Sequence, residues 1–263
     1  PVQPAAQFGV EVGGQAVEAF AGAAGHQFRR QQRGAGGQFH RAIQFDHLGL
    51  NAHLLEMLAG QVGVLARHPQ VADAGRVFLL TDRFGPFRWQ IATTATDANR
   101  FSIRVARAVT GRPKILFFAA SYHGAVDDAM ARNVDGKTVA RPGLVGQVVD
   151  LAVTSKIVEF NDIPALEAAL AEGDVAAVLA EPVMTNCCMV LPDPSYHTAL
   201  RNLTRKYGTL LIIDETHTIS SGLGGYTRTH GLDPDMFVLG KPVAGGLPAS
   251  VWGMSDEVAR RYK

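Results

Sequence analysis

The sequence predicts an α/β fold, a mostly parallel sheet with helices on both faces, and three observations predict it. Short apolar runs recur after residue 110, as in Lys114-Ile-Leu-Phe-Phe118 and Val175-Ala-Ala-Val-Leu-Ala180. They are apolar throughout and do not alternate, which is the pattern of strands buried on both faces. Helical patterns closed by glycine separate them, and this alternation is that of helices laid over a parallel sheet.

The elements follow in order. Asp97–Thr110 reads as a helix: Phe101, Val105 and Val109 recur every four residues, Thr96 or Asp97 caps the start and Gly111 stops it. The strand Lys114–Phe118 comes next. Ile163–Glu172 is a helix closed by Gly173, and Val175–Ala180 is a buried strand. Pro194–Tyr207 is a helix closed by Gly208, followed by the strand Thr209–Asp214. Met236–Leu239 and Ala249–Met254 are two further strands. No internal repeat is visible.

The chain changes character near residue 80. Before it, Gln, Gly, Ala and Arg dominate, and the first lysine of the chain is Lys114. Only Leu48–Ala66 has the spacing of an amphipathic helix there, with Gly60 as its weak point. Residues 1–80 therefore read as an arm, either without a packed core or not a natural coding frame. Residues 81–263 read as the folded domain.

Composition excludes several classes. With Lys+Arg 25 against Asp+Glu 24, net charge is +1, which gives no general pull toward nucleic acid or an anionic membrane. No apolar run is long enough to span a bilayer. The start, Pro1-Val-Gln-Pro-Ala-Ala, has no basic stretch followed by an apolar one, so no signal peptide and a cytoplasmic location are expected. Cys187 and Cys188 are adjacent, which suits neither a disulfide framework nor a zinc site; both read as buried small residues.

In such sheets ligands sit outside the carboxyl ends of the strands, so polar residues there carry the functional signal. Thr93-Thr-Ala-Thr-Asp-Ala98 opens a helix, where free N–H groups and hydroxyls of Thr94 and Thr96 suit a phosphate. Ser121-Tyr-His-Gly124 follows a strand and offers Tyr122 to a flat ring. Asp214 ends an apolar strand, placed to bond a cationic ring nitrogen, and alternation puts Thr216 on its side. Lys241 sits in Leu239-Gly-Lys-Pro-Val-Ala-Gly-Gly-Leu-Pro248, where a desolvated amine becomes a nucleophile for Schiff bases. Taken singly, each also fits a plain role: a helix cap, a core tyrosine, a turn-capping aspartate, a solvated lysine.

Taken together, in this order and spacing, they resemble the class III aminotransferases, and within them the glutamate-1-semialdehyde aminomutase type. Thr94-Ala-Thr-Asp-Ala-Asn99 resembles the family's Ser-Gly-Thr-Glu-Ala phosphate motif. Gly111-Arg-Pro-Lys-Ile-Leu and Ser121-Tyr-His-Gly124 resemble its next strand and stacking Tyr-His-Gly. Ala180-Glu-Pro-Val-Met-Thr-Asn186, Leu211-Ile-Ile-Asp-Glu-Thr-His-Thr218 and Leu239-Gly-Lys resemble its Glu-Pro-Val, Asp-Glu-Val and lysine segments. The resemblance runs from about Asp82 to Met254, about two-thirds of the chain.

The resemblance implies the large domain of the fold type I pyridoxal-phosphate (PLP) transferases, incomplete at both ends, and PLP as cofactor. It implies that Lys241 forms the Schiff base and shuttles the proton, and that Asp214 holds the pyridine nitrogen protonated. Ala95 and Thr96 would hold the phosphate through backbone N–H groups, beside Thr94. Tyr122 would stack on the ring with Thr216 on its other face, Asn186 would bond near the 3-hydroxyl, and His123 follows the stacking tyrosine. The reaction implied moves an amino group from an amino donor to a carbonyl acceptor, in a homodimer. The alternatives are an aminomutase, in which donor and acceptor are one molecule, and an inactive remnant.

Three departures stand out. Ala95 replaces a glycine, which crowds the phosphate if the position needs positive φ. Thr216 replaces valine, and residues 216–226 differ from the family's Thr-Gly-Phe-Arg run. His217 is expected to turn away from the ring by strand alternation, and Glu181 and Glu215 to support the site from behind. A nucleotide-binding domain is not favoured, since no strand–GxGxxG–helix unit exists and the glycines at 222–225 do not supply one.

Overall fold

The computed structural model describes residues 79–262. The arm at residues 1–80, apart from its last two positions, and the helix expected at Leu48–Ala66 lie outside the described residues. Residues 79–84 are helical. After them come β1 (Arg88–Ala92), α1 (Ala95–Thr110), β2 (Lys114–Phe118), β3 (Ala131–Val134), β4 (Lys137–Ala140) and β5 (Ser155–Val158). Then follow α2 (Ile163–Ala171), β6 (Val175–Ala180), α3 (Tyr196–Lys206), β7 (Leu210–Asp214), α4 (Gly225–Thr229), β8 (Met236–Leu239), β9 (Ser250–Met254) and α5 (Asp256–Arg261).

Seven strands form one sheet in the order β1-β9-β8-β7-β6-β2-β5. The pairs from β8 through β7, β6 and β2 to β5 are parallel. Strand β9 runs antiparallel to both of its neighbours. Helices cover both faces. Ile115, Phe117, Leu210 and Ile212 pack with Ala98, Ile103 and Ala106 of α1. On the opposite face Leu116, Phe118, Leu211 and Ile213 pack with Leu166 and Leu170 of α2 and Leu200 and Leu203 of α3. Alternation along β7 therefore sends Asp214 to the α1 face, with Leu210 and Ile212. A third cluster seals the β1 end, where Phe237 is fully buried among Phe84, Phe87 and Trp89.

Local chemistry sets the element ends. Helix α1 starts two residues earlier than its spacing predicts, because Thr94 is the cap: its Oγ1 accepts from Asp97 N at 3.1 Å. Gly111 ends it in the left-handed conformation, φ 70°. Helix α2 is capped by Asp162, whose Oδ1 accepts from Ala165 N. Strands β1 and β5 and the β3–β4 hairpin, turned by Asp135-Gly136 at positive φ, add to the strands expected.

Candidate active site

The carboxyl ends of β2, β6, β7 and β8 and the start of α1 meet at one cavity of about 400 Å³. Its wall includes Thr93, Thr94, Ala95 and Thr96, then Tyr122, His123 and Gly124, and across from them Glu181, Asp214, Thr216, His217 and Lys241. These residues come from five separate segments, each at or just past the end of a strand.

Asp214 is 3% exposed. Its Oδ2 accepts from Asn99 Nδ2 and meets His123 Nδ1, both at 2.9 Å, and its Oδ1 accepts from Thr216 N at 3.1 Å. Burial pushes its pKa up, but the hydrogen bond and attraction of His123, with the bonds from Thr216 and Asn99, outweigh it. The carboxyl is held below the usual carboxylate range, so a negative charge stands at the cavity wall at neutral pH. Facing an ionised carboxylate, His123 Nδ1 is the donor. Its Nε2 is buried without a partner among the described residues.

At the start of α1, Ala95 and Thr96 are the first two helical residues, whose N–H groups have no intrahelical acceptor. Thr96 Oγ1 accepts from Ala125 N at 3.0 Å, which leaves its own O–H to donate. Gly124, at φ +82°, lies so close that a Cβ on it would stand 2.2 Å from Thr96 Oγ1. Ala95 is not among the positive-φ residues, so alanine there brings no backbone strain. Its methyl instead faces Gly240, where an added Cβ would come within 2.6 Å.

Thr216 is buried, and its Oγ1 accepts from Gly240 N at 3.2 Å, tying the end of β7 to the residue before Lys241. Lys241 lines the cavity but is exposed, and among the described residues Nζ has no hydrogen-bond or ion-pair partner. The desolvated lysine expected from its Gly/Pro-rich surroundings is not seen, because the Pro242–Gly246 turn leaves the side chain uncovered. Tyr122 lines the cavity half-exposed.

Three placements differ from the sequence reading. Asn186 is exposed and not among the lining residues: the Met184–Val190 bridge folds residues 185–189 into a tight excursion with Asn186 on its outside. In the same excursion Cys188 is exposed and Cys187 partly so; burial and Glu181 push the Cys187 thiol up. His217, expected to turn away, lines the cavity. The strand ends at Asp214 and His217 has helical angles, φ −105° and ψ −30°, so alternation no longer applies. Glu215 does point away: it accepts from Thr218 Oγ1 and from the N–H groups of Tyr226 and Thr227, fixing the following turn. Asn99 was missed, although a polar residue on the Ala98–Ile103–Ala106 face of α1 is the kind of signal that marks it.

Residues 62–263 match the family described as Aminotransferase class-III, a match that begins ahead of the compositional change at residue 80. The chain belongs to the class III aminotransferases. Among class III relatives it is 38% identical over 173 residues to the glutamate-1-semialdehyde 2,1-aminomutase of Sulfurihydrogenibium azorense, an alignment that covers 64% of this chain and 40% of that one. The alignment thus spans about two-fifths of that relative's length. Its fold superposes on a glutamate-1-semialdehyde-aminomutase from Pseudomonas aeruginosa PAO1 with TM-score 0.74 and 48% identity, covering 80% of this chain and 47% of that one. A variant of the same enzyme, in complex with PMP, gives TM-score 0.73 at 47% identity over the same shares. An omega-transaminase from Sphaerobacter thermophilus gives TM-score 0.70 and 30% identity, covering 80% and 50%. Class III membership and these superpositions identify the sheet and its helices as the aminotransferase α/β fold. Among the described residues no helix is long and apolar enough to cross a membrane.

Proposed function

We propose that this chain forms the PLP-binding part of a transaminase, which moves an amino group between an amino donor and a carbonyl acceptor. One observation carries the reading: a buried, ionised carboxylate, a lysine and an open helix N-terminus share one cavity. The residues present fit PLP in charge and shape. The first N–H groups of α1 and the Thr96 hydroxyl suit the phosphate, and Gly124 and Gly240 stand where a larger residue would fill the cradle. His123 Nε2 is a buried polar atom still without a partner among the described residues.

When bound, PLP supplies an aldehyde carbon for amine exchange and a ring that takes up an electron pair. The roles proposed for the protein's own residues are these. Asp214, held in place by Asn99 and His123, would accept a hydrogen bond from the ring nitrogen and keep a proton there. Tyr122 and Thr216 would bracket the ring, Thr94 would stand beside the phosphate, and His123 lines the same cavity. Lys241, whose amine lines the cavity, would hold the cofactor and could take up a proton there. Asn186 comes near the ring only if the 185–189 excursion rearranges. The homodimer of the intact family is the assembly proposed, with small-molecule donor and acceptor as the partners.

A second reading, the aminomutase, is favoured by the 48% identity to the Pseudomonas enzyme. The departures at residues 216–226 favour the broader transaminase. The test is the visible spectrum of the purified chain with added PLP, followed by borohydride reduction and peptide mapping. Label on Lys241, absent from Lys241→Ala, supports the reading; folded protein that takes no label overturns it.

A further inference from the structure

Beside the lysine and Asp214 the cavity holds a second polar group that the roles above leave unused. Glu181, 4% exposed, directly follows β6, and its Oε2 accepts from Thr185 Oγ1 at 2.6 Å and from Thr185 N at 3.3 Å. Thr185 Oγ1 also meets His217 Nδ1 at 2.5 Å. The directions follow from counting protons. A carboxylate only accepts, so the single hydroxyl proton of Thr185 points to Glu181. Thr185 Oγ1 is then the acceptor toward the ring, and His217 Nδ1 carries the proton. In the neutral ring Nε2 is left bare, and it has no partner among the described residues. Glu181 Oε1 is buried and likewise without a partner among them.

The charges around it say what such an acceptor meets. Of the two lining carboxylates Asp214 is paired with His123, whereas Glu181 Oε1 is without a partner, and no arginine lines the cavity among the described residues. A cationic group is attracted here, and nothing on this wall holds a substrate carboxylate in the bidentate way of arginine. We infer that His217, fixed by Thr185 and Glu181, is the base that receives the ammonium group of the incoming amino donor. This rests on the cavity being the amine-exchange site. In the step an N–H bond of the ammonium breaks, the proton goes to His217 Nε2, and the lone pair stays on the amine, which becomes nucleophilic. The positive charge passes to the imidazole, whose Nδ1 lies 3.8 Å from Glu181 Oε2, so charge is conserved and no other reactant is needed.

The test is nitrogen NMR of the full chain with labelled histidine, His217 being assigned by its loss in His217→Gln. Expected is a protonated Nδ1 and a bare Nε2, with n-butylammonium chloride at fixed pH moving the Nε2 signal and leaving Nδ1 nearly still. Thr185→Val releases the ring to a mixture of tautomers and weakens the response about tenfold, while Thr185→Ser keeps both. A wild-type Nε2 that carries the proton, or one the amine does not move, overturns the proposal and needs no variant to read. Borohydride labelling of Lys241 is run on the same samples. Label without an Nε2 response rejects the base alone. An Nε2 response in folded wild-type protein that takes no label rejects the cofactor reading alone, and the ammonium subsite stands.

Discussion

Asn99, on the inner face of α1, donates through Nδ2 to Asp214 Oδ2 at 2.9 Å, so the helix that opens the cavity and the strand that closes it hold one carboxylate between them. Asn99→Ala leaves that buried charge short of a donor. The expected cost is about 1–3 kcal/mol, read as a lower urea midpoint at unchanged slope. It also moves the Asp214 pKa upward.

The same carboxylate gives a pH dependence with a definite sign. Its folded pKa is depressed, so its contribution is fully present above the unfolded value of about 3.9 and is lost as pH falls through the lower folded value. Denaturation midpoints measured downward from pH 5 should fall more steeply in the wild-type chain than in Asp214→Asn. Parallel curves would show that Asp214 is not the group responsible.

Gly124→Ala places a methyl against Thr96 Oγ1 at a residue with φ +82°. Overlap and backbone strain together are expected to cost about 2–4 kcal/mol, with phosphate-dependent binding of PLP lost before the fold is. Calorimetry with and without PLP separates the two effects.

Ala244 makes the opposite case. It holds φ +66° in the turn after Lys241, where a Cβ is disfavoured. Ala244→Gly is expected to stabilise the chain by about 1 kcal/mol, offset in part by the freedom glycine regains when unfolded. A lower melting temperature would show that packing of the buried methyl outweighs the strain.

Phe237, with no exposure, meets the rings of Phe84, Phe87 and Trp89. Phe237→Ala is expected to cost about 3–5 kcal/mol by equilibrium denaturation. A cost near 1 kcal/mol would mean that the aromatic cap at residues 84–89 is not packed on the sheet.

Much of this was legible in the residues. Strands β2, β6, β7 and β8 are legible because burial on both faces makes a strand apolar throughout, and Tyr122, Glu181, Asp214 and Lys241, at or shortly after their ends, line the cavity. Edge strand β1, Arg88-Trp-Gln-Ile-Ala92, escaped because it buries only Trp89 and Ala92. The β3–β4 hairpin escaped too, although Asp135-Gly136 is a strong turn signal. Asn186 and His217 show where strand logic stops. Both lie past a strand end, where a bridge or a helical turn, and not alternation, decides which way a side chain points. The relay joins Glu181 to His217 through the hydroxyl of Thr185, itself 32 positions from the histidine, which no local pattern reveals.

The antiparallel strand β9 has a consequence for how this chain is made. Among the described residues β1 pairs in the sheet with β9 alone, and Ser250 Oγ bonds Thr94 O, 156 positions back. During synthesis β1 therefore leaves the ribosome long before β9 exists, and such distant pairings form slowly. A nascent chain halted before Ser250 would leave β1 without β9 and one flank of β8 bare, a template for joining other chains. Closure of the β1 end of the sheet therefore waits on β9.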